Sequence, residues 1–592
     1  MPREYRRSKK RKFCGNRYDN SAKKKRVDTV DGDTISADPS TSAANEAVLN
    51  TSASAKKIGF SDIPDDSSYS EQSQSTDVSG YRFVDLQIMS EFVSEVCCKE
   101  CGSSCLVLED NPRERKGSAS HLRARCEACG WVYTFYTSKK VGHSFDVNKR
   151  FVYAMRSLGE GHTSAKRFCA LMDMPPPLQP TAYRDCNIAL AKAAKAVATT
   201  TMLNAANEVK KDPTNQINQC SVSCDGTWQR RGHSSLNGCV TTLSMDTGKC
   251  LDVEILTKVC HGCQKVEREK DLEEKAAKKE VHISKCKINH KGSSAAMETE
   301  GVKRIFRRSE EDRKLQYTEY FGDGDSKAHA EVENIYHGIK IAKKECVGHV
   351  QKRVGTALRK LKKENKGIGG KGKLTNTLID KLQNYYGIAI RSNSGDLKAM
   401  KAAIFASLFH CVSSKKRNLH THCPDGPNSW CRFKQDKANN TTKYVPGPGL
   451  PDNIIKLIRP IYERLSSDEL LSKCLDGKTQ NQNESLNGMI WNRIPKNVFV
   501  GANVLELGVY DAVAHFNIGA EAAVNLLKEV KLKPGKFCVE GLNKINKERV
   551  KRANVKAKEC SRKKRKILRG QKKRKDEKLK EEEGTTYKSG GF

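Results

Sequence analysis

Acids at the ends of strand-like runs carry one chemistry legible in this 592-residue chain. Asp225 closes the β-branched run SVSCDGTW, and Asp323 and Asp325 close YTEYFGDGD. Glu484 lies in TQNQNESLNGMIWNR, a polar helix start followed by apolar residues that would pack on a sheet. Carboxylates at neighbouring strand ends can hold hard divalent cations, which take oxygen ligands and keep several waters. Two such cations about 4 Å apart can activate a water and stabilise a leaving oxygen in phosphodiester cleavage. Each acid also has a plainer role, because Asp-Gly is a common turn dipeptide and Glu484 would serve equally as a surface side chain.

Cysteine spacing carries a second chemistry. Cys98 and Cys101, then Cys126 and Cys129, form two C-x-x-C pairs separated by 24 residues, the spacing of a zinc ribbon in which four thiolates close a tetrahedron. A glycine after each second cysteine permits the tight knuckle; Cys97 and Cys105 could substitute as ligands. Cys260 and Cys263, then Cys286 and His290, repeat the pair-then-pair spacing, with His282 as a competing ligand. The residues between them are mostly charged and offer no core of their own, so zinc would have to fold them. His410, Cys411, His420, His422, Cys423 and Cys431 form a third, irregular set. Ordinary buried thiols are the alternative for all three.

These residues need elements to position them. Residues 1–85 read as a disordered basic and Ser-rich arm, with order expected near Tyr81. A zinc ribbon is expected at 86–140. Residues 145–212 read as helical: one helix ending at Gly159, a polar turn, a second stopped by Pro175–Pro177, and a long Ala-rich third. This is either a helix-turn-helix or a structural hairpin. From Gln216 the texture changes to strands, with CSVSCDGTW, LNGCVTTLSMDTG and KCLDVEILTKV forming an antiparallel meander. A zinc-binding insert at 260–295, a helix, a fourth strand ending at the Asp pair and a fifth approaching Cys346 follow. A helical insertion spans 350–475, further helices 501–550, and a basic tail 551–592. Gly367 to Lys373 spells G-x-x-x-x-G-K, but Leu374 replaces the required hydroxyl residue and no strand precedes it, so it is not a phosphate loop.

Composition narrows the partners. Lys and Arg number 107 against 70 acids, for a net charge of +37. Residues 1–30 hold 12 Lys/Arg against 3 acids, and residues 551–580 hold 16 against 3, so 60 residues carry most of the surplus. Runs such as KKKR and RKKRK suit phosphate binding and nuclear import. No apolar run is long enough for a membrane helix, and the charged first residues lead into no apolar stretch, so no secretory leader is expected. The 23 cysteines are then expected as intracellular ligands or thiols rather than disulfides. A nucleic-acid partner follows; an enzyme and a binder remain open.

The segments SCDGTWQRRGHSSLNG, DTGKCLDVEILTKVC, YTEYFGDGDSKA, ECVGHVQKR, SKCLDGKTQNQNESLNGMIWNRIPK and FVGANVLELGVYDAV resemble the Mutator-like transposase domain of cut-and-paste DNA transposons, over about residues 145–550. The resemblance implies an α/β fold with a ribonuclease-H-like core at 216–500 and a catalytic triad of Asp225, Asp323 and Glu484, with Asp325 the alternative second acid. It implies Mg or Mn at that triad, beside the structural Zn expected from cysteine spacing, and cleavage and joining of DNA at transposon ends. A C-x-x-H signature matches Cys346 and His349, which could also be a buried thiol and a core histidine. The expected partners are transposon terminal repeats, target DNA and further copies of the chain, in the nucleus. The rivals are a domesticated or inactive DNA-binding derivative and a nuclease acting on RNA.

Overall fold

The computed structural model describes residues 52–58, 78–211, 218–230, 235–322, 327–370, 372–427, 429–447, 449–558 and part of 560–575. Most of the expected N-terminal arm, both Asp323 and Asp325, and the chain from 576 onward lie outside the described residues. The described chain divides into residues 424–444 and a main unit holding the rest.

The main unit is mixed α/β, and its centre is a five-stranded sheet. Strands β1 (Gln219–Trp228), β2 (Asn237–Ser244) and β3 (Cys250–Thr257) form the antiparallel meander. Strands β4 (Gln316–Gly322) and β5 (Ala342–Glu345) add on the other side of β1 and run parallel to it, for the order β5-β4-β1-β2-β3. Strand side chains alternate between faces, and β1 uses both. Val222 and Cys224 join a core with Met297, Val302, Ile305 and Phe306 of helix α1 (Ala296–Arg308). Ser223, Asp225 and Thr227 instead meet helix α2 (Asn481–Arg493).

Other helices cover the α2 face. Helix α3 (Ala502–Ile518) packs on the long Ala-rich helix α4 (Pro180–Lys210), whose small side chains allow close approach, with Leu190, Ala194, Val197 and Met202 buried beside Val509, Val513 and Phe516. The two expected shorter helices form at Asp146–Ser157 and His162–Leu171. A separate helical core joins α5 (Val347–Glu364), α6 (Asn376–Ser392), α7 (Leu397–Val412) and α8 (Asp452–Leu465) through Val354, Leu382, Tyr386, Ile404, Ile458 and Tyr462. These helices fall in the stretch 350–475 read as helical.

Two expected boundaries move. Residues 53–58, assigned to the disordered arm, form a helical turn: Ala-Lys-Lys-Ile suits a helix, Ala55 is buried, and Lys57 Nζ donates to Gln482 Oε1 at 2.9 Å. The helix Lys536–Ala557 runs through the break expected at 550, because most of its charged residues are exposed and nothing in them stops a helix.

The N-terminal part of this unit holds a three-stranded antiparallel sheet, Leu106–Asp110, His121–Cys126 and Val132–Tyr136. Its knuckle glycines, Gly102 (φ +72°) and Gly130 (φ +73°), occupy the left-handed backbone that side chains disfavour. In the 424–444 unit, the helix Arg432–Asn439 ends at Asn440, Lys434 pairs with Asp425 at 2.6 Å, and Asp436 accepts from Thr441 Oγ1 at 2.6 Å.

Candidate acid site and metal centres

Helix α2 is fastened to β1 by amides spaced three or four residues apart. Gln480, just before it, donates from Nε2 to the carbonyls of Cys224 (2.9 Å) and Phe321 (3.3 Å), bridging the parallel strands. Asn483 donates to the Ser223 carbonyl at 3.1 Å and accepts from Ser223 Oγ at 2.7 Å. Asn487 Nδ2 donates to Asp225 Oδ2 at 2.6 Å, and Trp491 Nε1 donates to Thr227 Oγ1 at 2.7 Å. Such positions share one face of a helix, so the row lies along the strand.

Glu484 lies one turn before Asn487 and points to solvent, its side chain 61% exposed. Lys352 Nζ of α5 sits 3.9 Å from its Oε1. Helix α2 thus carries Glu484 and, one turn on, the Asn487 amide that holds Asp225. The second acid cannot be placed among the described residues; in the chain, Asp323 directly follows Gly322, the last residue of β4. The oxygens here are hard: two carboxylates and Asn487 Oδ1, a buried acceptor that no donor among the described residues meets. That set fits Mg²⁺ or Mn²⁺ rather than a thiophilic metal.

Cys346 and His349 lie beside this junction. Cys346 leads from β5 into α5, is buried, and its Sγ accepts the Gln480 backbone N–H at 3.4 Å. Burial pushes its thiol up, but hydrogen bonds from His349 and from backbone N–H groups outweigh burial and bring it down. The pair thus supports the start of α2. The amide row itself escaped the sequence reading, although QNQNESLN carries its signal in amides at helical spacing.

The ribbon cysteines converge. Cys98 and Cys129 sulfurs lie 3.7 Å apart and those of Cys101 and Cys126 3.6 Å, with all four within one ligand-sized cluster. Crowding splits the thiols: hydrogen bonds from Ser103 pull Cys101 down to about 6. The Trp131 backbone N–H also lowers Cys129, but desolvation and the neighbouring thiols push it up to about 12. Such a set ionises together only beside a cation. Cys105 also reaches Cys126, at 3.3 Å, whereas Cys97 is turned to Ser104.

The insert requires a correction. Cys260, Cys263 and Cys286 gather as expected, but His282 joins them in place of His290. The helix Leu272–Ile283 brings His282 Nε2 to 3.4 Å from Cys260 Sγ and 3.3 Å from Cys263 Sγ, and Cys286 Sγ lies 3.5 Å from Cys263 Sγ. Gly262 makes room for the ring, since a Cβ there would sit 2.1 Å from His282 Cε1. His290 instead bonds the Ser293 carbonyl at 3.0 Å. Both Cys/His clusters could hold structural zinc. In the third set, Cys423 Sγ lies 3.8 Å from Nδ1 of both His410 and His420. Cys411 packs against the α5–α8 core, and His422 stacks on Phe409.

Among the described residues, no helix is long and apolar enough to cross a membrane. A family model described as Mutator-like transposase matches residues 80–431, which include the ribbon, β1 with Asp225 and the Cys346/His349 pair, and end before Glu484. No curated protein matches the chain.

Proposed function

Because the chain belongs to the Mutator-like transposase family, we propose that it cuts transposon ends and joins them to target DNA, using Asp225, Glu484 and one of Asp323 and Asp325 in a ribonuclease-H-like core. The observation that carries this reading is the bond from Asn487 to Asp225, made one helical turn along α2 from Glu484. The strand order, an antiparallel meander followed outward by two strands parallel to its first, supports the ribonuclease-H-like assignment.

Bound at the acids, divalent Mg or Mn would supply an activated water and charge neutralisation at the scissile phosphate. The chain's own residues prepare that site. Asn487 fixes the Asp225 carboxylate, and Gln480, Asn483 and Trp491 hold α2, which carries Glu484, to the sheet. Lys352, 63% exposed, can leave Glu484 for a DNA phosphate once that carboxylate is engaged. After the first cut, the freed 3′-hydroxyl attacks a target phosphodiester at the same acids, its new P–O bond replacing the bond to the target strand's 3′-oxygen, which leaves as a hydroxyl. Two ends must be handled together, so the working form contains more than one copy. Structural zinc at the two Cys/His clusters would hold the ribbon and the insert, and the basic terminal runs suit entry into the nucleus.

The test is cleavage of terminal-repeat duplex with Mg²⁺ or Mn²⁺. Asp225→Ala and Glu484→Gln should abolish cleavage while leaving DNA binding intact, and of Asp323→Asn and Asp325→Asn only one should do so. Parent-level cleavage by Asp225→Ala or Glu484→Gln would overturn the mechanism. A parent chain that binds terminal repeats but never cuts them would make it a domesticated binder.

A further inference from the structure

We propose that Asn487 belongs to the cation-binding machinery of the acid site, positioning Asp225 through one end of its amide and holding a cation-bound water through the other. The proposal rests on the reading of Asp225 and Glu484 as metal-holding acids and adds a residue to that site.

The amide orientation is fixed by charge. Nδ2 lies 2.6 Å from Asp225 Oδ2; turning the amide over would set two acceptor oxygens against each other. Oδ1 must then be the outward end. It is shielded from solvent, and no donor among the described residues reaches it. A buried acceptor without a donor is unfavourable, so the site is completed by something that brings one. Beside a carboxylate, with Glu484 on the same helical face one turn away, the fitting donor is a water in the shell of a divalent cation, which keeps several waters when held by few carboxylates.

The neighbouring amides mark the contrast. Both ends of the Asn483 amide are used within the protein, on Ser223 and Thr241, which makes it a fastener. Gln480 Oε1 also meets no donor among the described residues, but its Nε2 holds two backbone carbonyls and no acid. Asn487 alone of the three joins an acid to an unmet oxygen.

The experiment is Mn²⁺ binding to the zinc-loaded full chain, followed by the electron paramagnetic resonance signal of free Mn²⁺, beside zinc content and thermal midpoint. Groups that orient a metal's ligands are worth about 10–100-fold in affinity. Asn487→Ala should weaken Mn²⁺ binding by about that factor, with zinc content and thermal midpoint near the parent's. Asn487→Asp keeps an oxygen and adds charge beside Asp225, so it should bind Mn²⁺ more tightly than the parent and be less stable when Mn²⁺ is withheld. This nearly isosteric variant keeps the test decisive should the alanine variant fail to fold. Parent-like Mn²⁺ affinity in the Asn487 variants, with binding lost in Asp225→Ala, would overturn this proposal and leave the acid site standing. Parent-like affinity in Asp225→Ala would overturn the acid site itself.

Discussion

At the scale of single residues, what the sequence made legible depended on how local each signal was. The C-x-x-C pairs were readable because both ligands and the knuckle glycine lie within a few positions of one another. The choice between His282 and His290 was not local, because it turns on whether the helix Leu272–Ile283 folds back over Gly262. Asp225 was readable from its strand, but its link to Asn487 spans 262 residues and exists only once α2 lies along β1. The histidine correction predicts a clean difference. His282→Ala should lose about one zinc per chain, and with it the order of an insert that has little core of its own. His290→Ala should keep its zinc, because that ring is spent on the Ser293 carbonyl. Metal analysis of the purified variants, with proteolysis within 260–295, separates the two; equal zinc loss in both would return His290 to the ligand set.

At the scale of elements, the meander and the helical insertion followed from periodicity and turn residues, whereas the anchoring of α2 did not. Its far end is held by a buried network. Asp511 of α3 accepts from Tyr153 Oη at 2.9 Å and from Arg493 Nε at the end of α2, and it lies 3.3 Å from His515 Nδ1. Burial pushes the Asp511 carboxyl up, but His515 and Arg493 outweigh it and hold the group well below the usual carboxylate range. Removing one partner of a buried pair strands the other, at about 3–5 kcal/mol; Asp511→Asn should lose about that much in urea unfolding. Because the folded pKa is depressed, this stabilisation is present above the unfolded carboxylate value of about 3.9. It fades as pH falls below that value toward the folded one. The stability gap between parent and Asp511→Asn should therefore be full near neutrality and narrow below about pH 4. A gap constant down to pH 3 would mean that the network does not carry the charge assigned to it.

At the scale of the whole molecule, the surplus of +37 divides into two kinds of positive charge. The terminal runs are dense and carry no sequence code, so they should hold any DNA through its phosphates. The exposed stripe of α5 is different: Lys352, Lys360 and Lys363 face solvent, Arg359 beside them is paired with Asp380 and Lys360 lies near Glu364, and the stripe begins at Lys352 beside Glu484. At 1.5 Å per residue, Lys352 to Lys363 covers roughly 16 Å of helix, enough to track a duplex leading away from the acids. Each phosphate contact contributes about 0.9 to the slope of log affinity against log salt. Replacing Lys352, Lys360 and Lys363 by Gln should therefore lower that slope by about 2–3 for terminal-repeat duplex, measured by fluorescence anisotropy between 50 and 200 mM salt. Removing residues 559–592 should also lower the slope, but equally for terminal-repeat and unrelated duplex, because a run of charge cannot tell them apart. The triple variant should, in addition, cleave poorly at salt concentrations where the shortened chain still cuts, since the stripe starts beside Glu484. If the triple variant kept both its slope and its cleavage, α5 would be a solvated face and the path of the DNA would lie elsewhere.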